Sequence, residues 1–451
     1  LQEIKPLADQ GNANAQYLLG ALHAQGKGLP QNYAEAMKWY LKAANQGDAS
    51  ALYIVGYMHA EGDGVPQNYA AAVKWYRKAA DQGYPNAQYN LGMMYAEGMG
   101  VPQEDAAAVM WYRKAASRGH PDAQYSLGFI YGMGKGVPQD HAEAINWYRL
   151  AAKQGVARAQ GVLGALFAQG SVVPQDYSKA MKWLRKAAEQ DLALAQYDLG
   201  SMYKEGQGVP QDYAVALKWY RKAADQGLAV AQHGLGWMHT FGLGVQKNLK
   251  EAVKWYRKAA KQGNPDAQFI LGFHLANGAD SAEGIKLLHK AADQGQVAAQ
   301  SILGEMYING EGVPQNYAEA FKWYRLAAER GLDSSQASLG IMYAEGMGVP
   351  QNFAEAVKWL RKGADQGYAS AQSALGVLYH NGQGVSQDNA EAVKWYRKAA
   401  EQGYAPAQHN LGLMYKNGYG VPQDEAEAVK WFRRAGEQGD ADAQDDVRFN
   451  G

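Results

Sequence analysis

The chain contains no cysteine. A disulfide framework, a thiol nucleophile and a thiolate-held zinc are therefore excluded, while an oxidising compartment and the cytosol both remain open. No surplus of charge exists either: 44 basic and 44 acidic side chains leave a formal net charge of zero. A nucleic-acid binder needs a basic surface to displace counterions from phosphates, so no nucleic-acid partner is expected. No apolar run reaches the roughly 18 residues of a membrane-crossing helix, so no membrane-spanning segment is expected. Disorder is excluded as well, because 47% of the 451 residues are hydrophobic, enough for a packed core. What is abundant is an odd mixture of 53 glycines, 30 tyrosines and 12 tryptophans, which points to a short unit copied many times. The numbering starts at Leu1 rather than methionine, so removal of a secretory leader is expected, and with it a secreted, periplasmic or cell-surface location.

The copies are visible directly. An Ala-Gln pair, Ser-Gln in one copy, recurs with its glutamine at Gln16, Gln88, Gln124, Gln160, Gln196, Gln232 and Gln268, Leu52 filling one vacant slot, and again at Gln300, Gln336, Gln372, Gln408 and Gln444. The step of 36 residues shortens once, to 32 before Gln300. Twelve repeats fit between Asn12 and Gly439, with remnants at residues 1–11 and 440–451, as one array along 1–451. The repeat at 84–119 specifies two helices. Ala87, Leu91 and Tyr95 share one helical face, and Gly98 suits a left-handed helix end. A Gly-x-Gly-Val-Pro-Gln turn follows, whose proline cannot continue the helix. The second helix starts at Asn or Asp with Glu three residues on, as in Asn32–Glu35, Asp140–Glu143, Asn316–Glu319 and Asp424–Glu427. That resembles a capping box, which would satisfy two first-turn amides. Ala108, Trp111, Tyr112 and Ala115 form its apolar stripe. The fold class is all-α, an αα solenoid of about twelve 36-residue helix-loop-helix repeats.

The string A-Q-x-x-L-G-x-x-Y, followed by G-x-G-V-P-Q-[ND] and A-E-A-x-K-W-Y-R-K-A-A-x-Q-G, resembles the Sel1-like repeat, a relative of the tetratricopeptide repeat, over nearly the whole chain. The resemblance implies a right-handed superhelix that acts as a non-enzymatic protein-binding scaffold. Long cysteine-free arrays are similar to secretory immunoglobulin A-binding members of the family, so a secreted virulence factor with that host partner is expected. A periplasmic or cytosolic adaptor for a bacterial partner is the alternative. A monomer is expected, with no cofactor.

Positions shared by every repeat serve packing, and positions that vary are free to serve a ligand. The glycine of Leu-Gly is present in all twelve repeats, from Gly20 to Gly412. A mid-helix glycine costs about 1 kcal/mol, so its recurrence implies close approach of two helices. Tryptophan recurs in eleven, from Trp39 to Trp431, and is expected between repeats in the core. Lys74, Arg77 and Lys78 are expected on a solvated outer surface. On the first helix the sixth and tenth positions vary most. The resemblance places this face in a concave groove, where Tyr53, Tyr57, Tyr89, Met93, Tyr125 and Phe129 would form an aromatic wall, continued by Tyr197, His233, Trp237, Phe241, Phe269 and Phe273. Such residues dominate binding hot spots. The competing expectation is that neighbouring repeats bury the sixth-position rings.

The repeat at 264–295 lacks its Gly-Val-Pro-Gln turn and has Leu287 in place of tryptophan, so a bend between residues 230 and 295 is expected to shape a ligand pocket. Val172 and Asp191 stand where glycines should be, and aspartates at 440, 442, 445 and 446 suit a polar end. Signals for chemistry are weak. The Gly-x-Gly turn follows a helix and lacks a phosphate-binding lysine. His23, His59 and His239 replace a packed tyrosine, no metal-ligand spacing occurs, and Glu311 or Asp63 provide at most a loop carboxylate for a stray divalent ion. Ser201-Met-Tyr-Lys204 spells the S-x-x-K nucleophile motif of β-lactam-binding enzymes, but its Ser-Asp-Asn and Lys-Thr-Gly partners are missing. A β-lactam-binding hydrolase is the remote alternative.

Overall fold

The computed structural model describes residues 2–278 and 280–444. Asp445 and Asp446, part of the expected polar end, lie outside the described residues. Among these, 25 helices follow one another, most of them 13 residues long. The chain divides into two compact parts, residues 1–231 with 243–246, and residues 232–242 with 247–451. The division falls in the seventh repeat, inside the stretch where the sequence departs from its pattern.

Each repeat is a pair of helices built as the periodicity requires. In the third repeat they are Pro85–Glu97 and Asp105–Ser117. Ala87 and Leu91 are fully buried, and Ala108, Trp111, Tyr112 and Ala115 are buried on the facing helix. Gly98 ends the first helix at φ 70°. The turn is held by its own glutamine: Gln103 donates from Nε2 to the Ala96 carbonyl at 3.0 Å, as Gln67 does to Ala60 at 2.8 Å. The cap differs from a capping box. Asn32 accepts from the Glu35 amide at 3.0 Å, but the Asn32 amide donates to the His23 carbonyl of the first helix, and Glu35 pairs with Lys38. The first helix already supplies the second acceptor, so the glutamate is left for its lysine.

The recurrent glycine has a specific cause. A Cβ on Gly128 would lie 2.6 Å from the Tyr148 ring, and one on Gly56 would lie 2.7 Å from the Tyr76 ring. The second helix thus seats an aromatic ring against the bare backbone of the first. Leu184, Leu288 and Leu360 occupy the same seat on Gly164, Gly272 and Gly340.

Further contacts brace each second helix and tie one repeat to the next. Tryptophans pack on the preceding repeat: Trp147 against the Val109–Leu127 cluster, Trp183 against Ala151 and Leu163. Lys114 lies over Trp111 with Nζ 4.1 Å from the ring centroid, a cation–π contact that recurs through the array. The Ala-Gln glutamines form a buried ladder. Gln124 donates to the Ala116 carbonyl of the preceding helix at 3.3 Å and accepts from Gln154 of its own repeat at 2.7 Å. Arg118 and Arg330 stand where that second glutamine belongs, and in these two repeats Oε1 of Gln88 and Gln300 is buried without a partner. The arginine after Trp-Tyr is more than the solvated residue expected: Arg185 donates to the Tyr203 hydroxyl of the next repeat at 2.8 Å, Arg397 to Tyr415 at 2.6 Å, and Arg77 to Tyr95. His59 replaces that tyrosine, and burial holds its imidazole below the ordinary range.

Irregular positions are absorbed locally. Asp191 takes the left-handed conformation of the missing glycine at φ 60°, and its carboxylate accepts from Gln196 at 3.2 Å. In the shortened repeat, Pro265–Ala276 and Ser281–Asp293 approach so closely that a Cβ on Gly284 would lie 2.2 Å from the Ala276 nitrogen.

Candidate protein-binding face

The invariant positions of each first helix face the core, which leaves the variable sixth and tenth positions on the opposite stripe. The two rows differ in what they touch. Sixth-position rings act as joints. Tyr53 lies 5.8 Å from Tyr76 of its own repeat and 5.2 Å from Tyr84 at the start of the next, between ring centroids. Tyr89 lies 5.7 Å from Tyr112 and stacks on His120 at 4.6 Å. Tyr125 packs on Tyr148 at 5.8 Å, Tyr197 stacks on Tyr220 at 5.2 Å, and His233 lies 5.7 Å from Tyr256. All five are half-buried, as is Phe269.

Tenth-position side chains project further. Tyr57 is 41% exposed, Phe129 47% and Phe273 46%, whereas Met93 and Trp237 are half-buried. Phe241, 61% exposed, lies 5.2 Å from Trp237, and Phe273 lies 6.3 Å from Phe269. The first part of the chain therefore carries Tyr53, Tyr57, Tyr89, Met93, Tyr125, Phe129 and Tyr197, and the second carries His233, Trp237, Phe241, Phe269 and Phe273.

Electrostatics link side chains of this face within each part. Burial pushes the Tyr89 hydroxyl up; Asp122 adds to the effect, and the Arg158 guanidinium, two repeats away, opposes it. Burial also raises Tyr17, with a further contribution from Tyr84, again two repeats along. In the second part Tyr368 is raised by burial and by Asp333, Tyr404 and Glu305. First helices of consecutive repeats touch one another directly, Ala157–Gln169 with Ala193–Glu205 in the first part and Asp333–Glu345 with Ala369–Asn381 in the second, which puts them on the inner, concave side of each part.

Other sequence signals are drawn into packing. The Ser201 hydroxyl donates to the Tyr197 carbonyl at 3.1 Å and shares a 2.9 Å hydrogen bond with the Tyr220 hydroxyl, while Lys204 pairs with Glu205 at 2.8 Å. The S-x-x-K pair is thus not assembled as a nucleophile and its base. Glu311 accepts from Asn309 at 3.1 Å, and no group of three or more His, Asp or Glu side chains is placed to hold a metal among the described residues. No helix among them is long and apolar enough to cross a membrane. A cleft does open at the shortened repeat, between Phe273, Asn277, Ile302 and Glu305.

One feature of the face escaped the sequence reading. In the fifth repeat the sixth and tenth positions are Gly161 and Ala165, and an apolar pocket opens between Tyr125 and Leu192. The signal was present, since no other repeat carries so little side-chain volume at both positions.

Stacked helix pairs with a shared ring-on-glycine joint and a concave, variable face define an αα-repeat protein of the tetratricopeptide type. The Sel1 repeat model matches twelve consecutive stretches, from 13–48 to 405–440, the eighth shortened to 265–296. The chain belongs to the Sel1 repeat family, whose general role is that of a protein-interaction scaffold. It is similar to a protective antigen present in uropathogenic Escherichia coli strains, which displays an SLR fold: 38% identity over 92% of this chain and 90% of that one, with a TM-score of 0.77. A Sel1 repeat protein from Oxalobacter formigenes is 34% identical over 54% of this chain and 96% of its own, with a TM-score of 0.49. No curated protein matches the chain significantly.

Proposed function

We propose that this chain is a non-enzymatic scaffold that binds a protein along the concave face of its first helices, acting as a single continuous array and a monomer. The observation that carries the reading is the row of exposed apolar side chains at one register: Tyr57, Phe129 and Phe273, with Phe241 beside Trp237. Core packing does not need them, and rigid aromatic side chains give large contact area at small entropic loss. The host partner we propose is secretory immunoglobulin A, with the chain secreted or held at the bacterial surface. Similarity to a protective antigen supports that location, because an antigen that protects must be reachable by antibody. The test is capture from mucosal secretions by the intact array and by a Tyr57→Ala/Trp237→Ala variant. Capture of secretory immunoglobulin A by the intact array alone supports partner and face together. Capture by both moves the site off the face, and capture by neither removes the host-binding reading.

A further inference from the structure

Most repeats in the first part of the chain place an aromatic pair at the joint between helices, such as Tyr125 on Tyr148 and Tyr197 on Tyr220. The fifth repeat lacks both rings: its sixth position is Gly161, and Leu184 occupies the seat on Gly164. Ala165 adds nothing at the tenth position. The vacancy is only partly filled from the next repeat, by Leu192, whose Cδ2 would meet a Cβ on Gly161 at 2.9 Å. What remains is a pocket of about 640 Å³ including its open mouth. Val162 and Leu166 line it from the first helix, Tyr125 stands on one side, and Leu192 and Leu194 stand on the other. Leu194 is 55% exposed at the rim.

Two charged groups border this apolar surface, and they differ. Asp198 is half-buried, whereas Arg158 is exposed at the mouth. No carboxylate pairs with Arg158 among the described residues, although its charge reaches Tyr89 across the concave face. An exposed guanidinium is the surface group best shaped to grip a carboxylate through two parallel hydrogen bonds.

Resting on the scaffold reading above, we propose that this pocket is the anchor site of the face. It accepts a bulky apolar side chain, of phenylalanine or leucine size, from a partner segment that places an acidic residue beside it for Arg158. The partner's side chain takes the space that a tyrosine of the array itself occupies in neighbouring repeats. Apolar burial supplies the affinity, and the charge pair fixes the orientation of the segment.

The experiment is selection of random twelve-residue peptides displayed on phage against the intact chain, followed by binding of the enriched synthetic peptides measured by fluorescence anisotropy. The blocking variant is Ala165→Phe, because Phe129 and Phe273 occupy this register in sister repeats and the fold accommodates them. Arg158→Gln tests the charge. The expected result is enrichment of peptides with Phe or Leu next to Asp or Glu, loss of binding to Ala165→Phe by at least tenfold, and weakening several-fold by Arg158→Gln. Equal binding to Ala165→Phe overturns the proposal, as does enrichment of basic peptides or of none. Immunoglobulin binding is read separately on the same proteins. Its absence from the intact chain removes the host partner and leaves the pocket standing, whereas retention by Ala165→Phe removes the pocket and leaves the partner.

Discussion

Two glycines in the helix Pro121–Met133 lie one turn apart and should respond oppositely to the same substitution. A Cβ on Gly128 would sit 2.6 Å from the Tyr148 ring, about an ångström inside ordinary contact, whereas on Gly132 its nearest neighbour is the Ala144 methyl at 3.8 Å. Alanine gains about 1 kcal/mol over glycine in a helix interior, as at Gly128, and up to that amount at Gly132 in the last turn. At Gly128 that gain is opposed by overpacking, which costs typically 1–3 kcal/mol when a buried ring must shift. Gly128→Ala should therefore destabilise by up to about 2 kcal/mol, and Gly132→Ala should stabilise by up to about 1 kcal/mol. Urea unfolding of the full chain, followed by circular dichroism, reads the sign from the shift in midpoint. The mechanism is tested by adding Tyr148→Ala, which removes the ring. In that background Gly128→Ala should stabilise, so the two changes couple strongly. A Gly128→Ala chain at least as stable as the parent, or additivity with Tyr148→Ala, would refute the account of why every repeat carries this glycine.

Other consequences follow from the joints between repeats and from one half-buried acid. Restoring the glutamine ladder with Arg118→Gln should give the orphaned Gln88 oxygen a donor and raise stability by about 1 kcal/mol in the same unfolding assay. Trp111→Ala should cost about 3–5 kcal/mol, since its indole is 2% exposed, and hydrogen exchange should show the loss in both repeats that it joins. Burial raises the Asp198 carboxyl from 3.8 to about 6, so the folded state binds its proton more tightly than the unfolded chain does. Stability from this group is gained as pH falls from above 6 towards 4 and is lost again on raising it. Asp198→Asn should accordingly be more stable than the parent by roughly 2–3 kcal/mol at pH 7–8, with the gap closing by pH 4 in urea titrations at each pH.

The helices, their turns and the repeat length were legible because they rest on contacts a few residues apart, repeated until the pattern could not be missed. Ala87, Leu91, Ala108, Trp111 and Tyr112 are core residues, as their spacing required. The reason for the Leu-Gly glycine was only half legible: close approach was evident, but the ring that presses on Gly128 comes from Tyr148, and no local spacing names it. Gln154 on Gln124 and Arg185 on Tyr203 were hidden in the same way, since each joins residues of different helices. The second hydrogen bond of the capping box was misjudged because the glutamate is local in sequence, whereas the acceptor that serves the cap amide comes from the preceding helix. On the variable face, the sequence placed the sixth and tenth positions together without separating a joint residue such as Tyr89 from a projecting one such as Phe129. The pocket at Gly161 was not legible because it is formed by missing side chains, and its walls, Tyr125 and Leu192, come from the repeats on either side.

Protein binding by the concave face is expected to run through its projecting side chains. Surface plasmon resonance of the full chain over immobilised secretory immunoglobulin A, alongside a Tyr57→Ala/Phe129→Ala variant with an unchanged melting temperature, puts that to the test. Saturable binding by the parent, weakened at least tenfold in the variant, is the predicted result. Saturable binding that the double substitution leaves unaltered would contradict it.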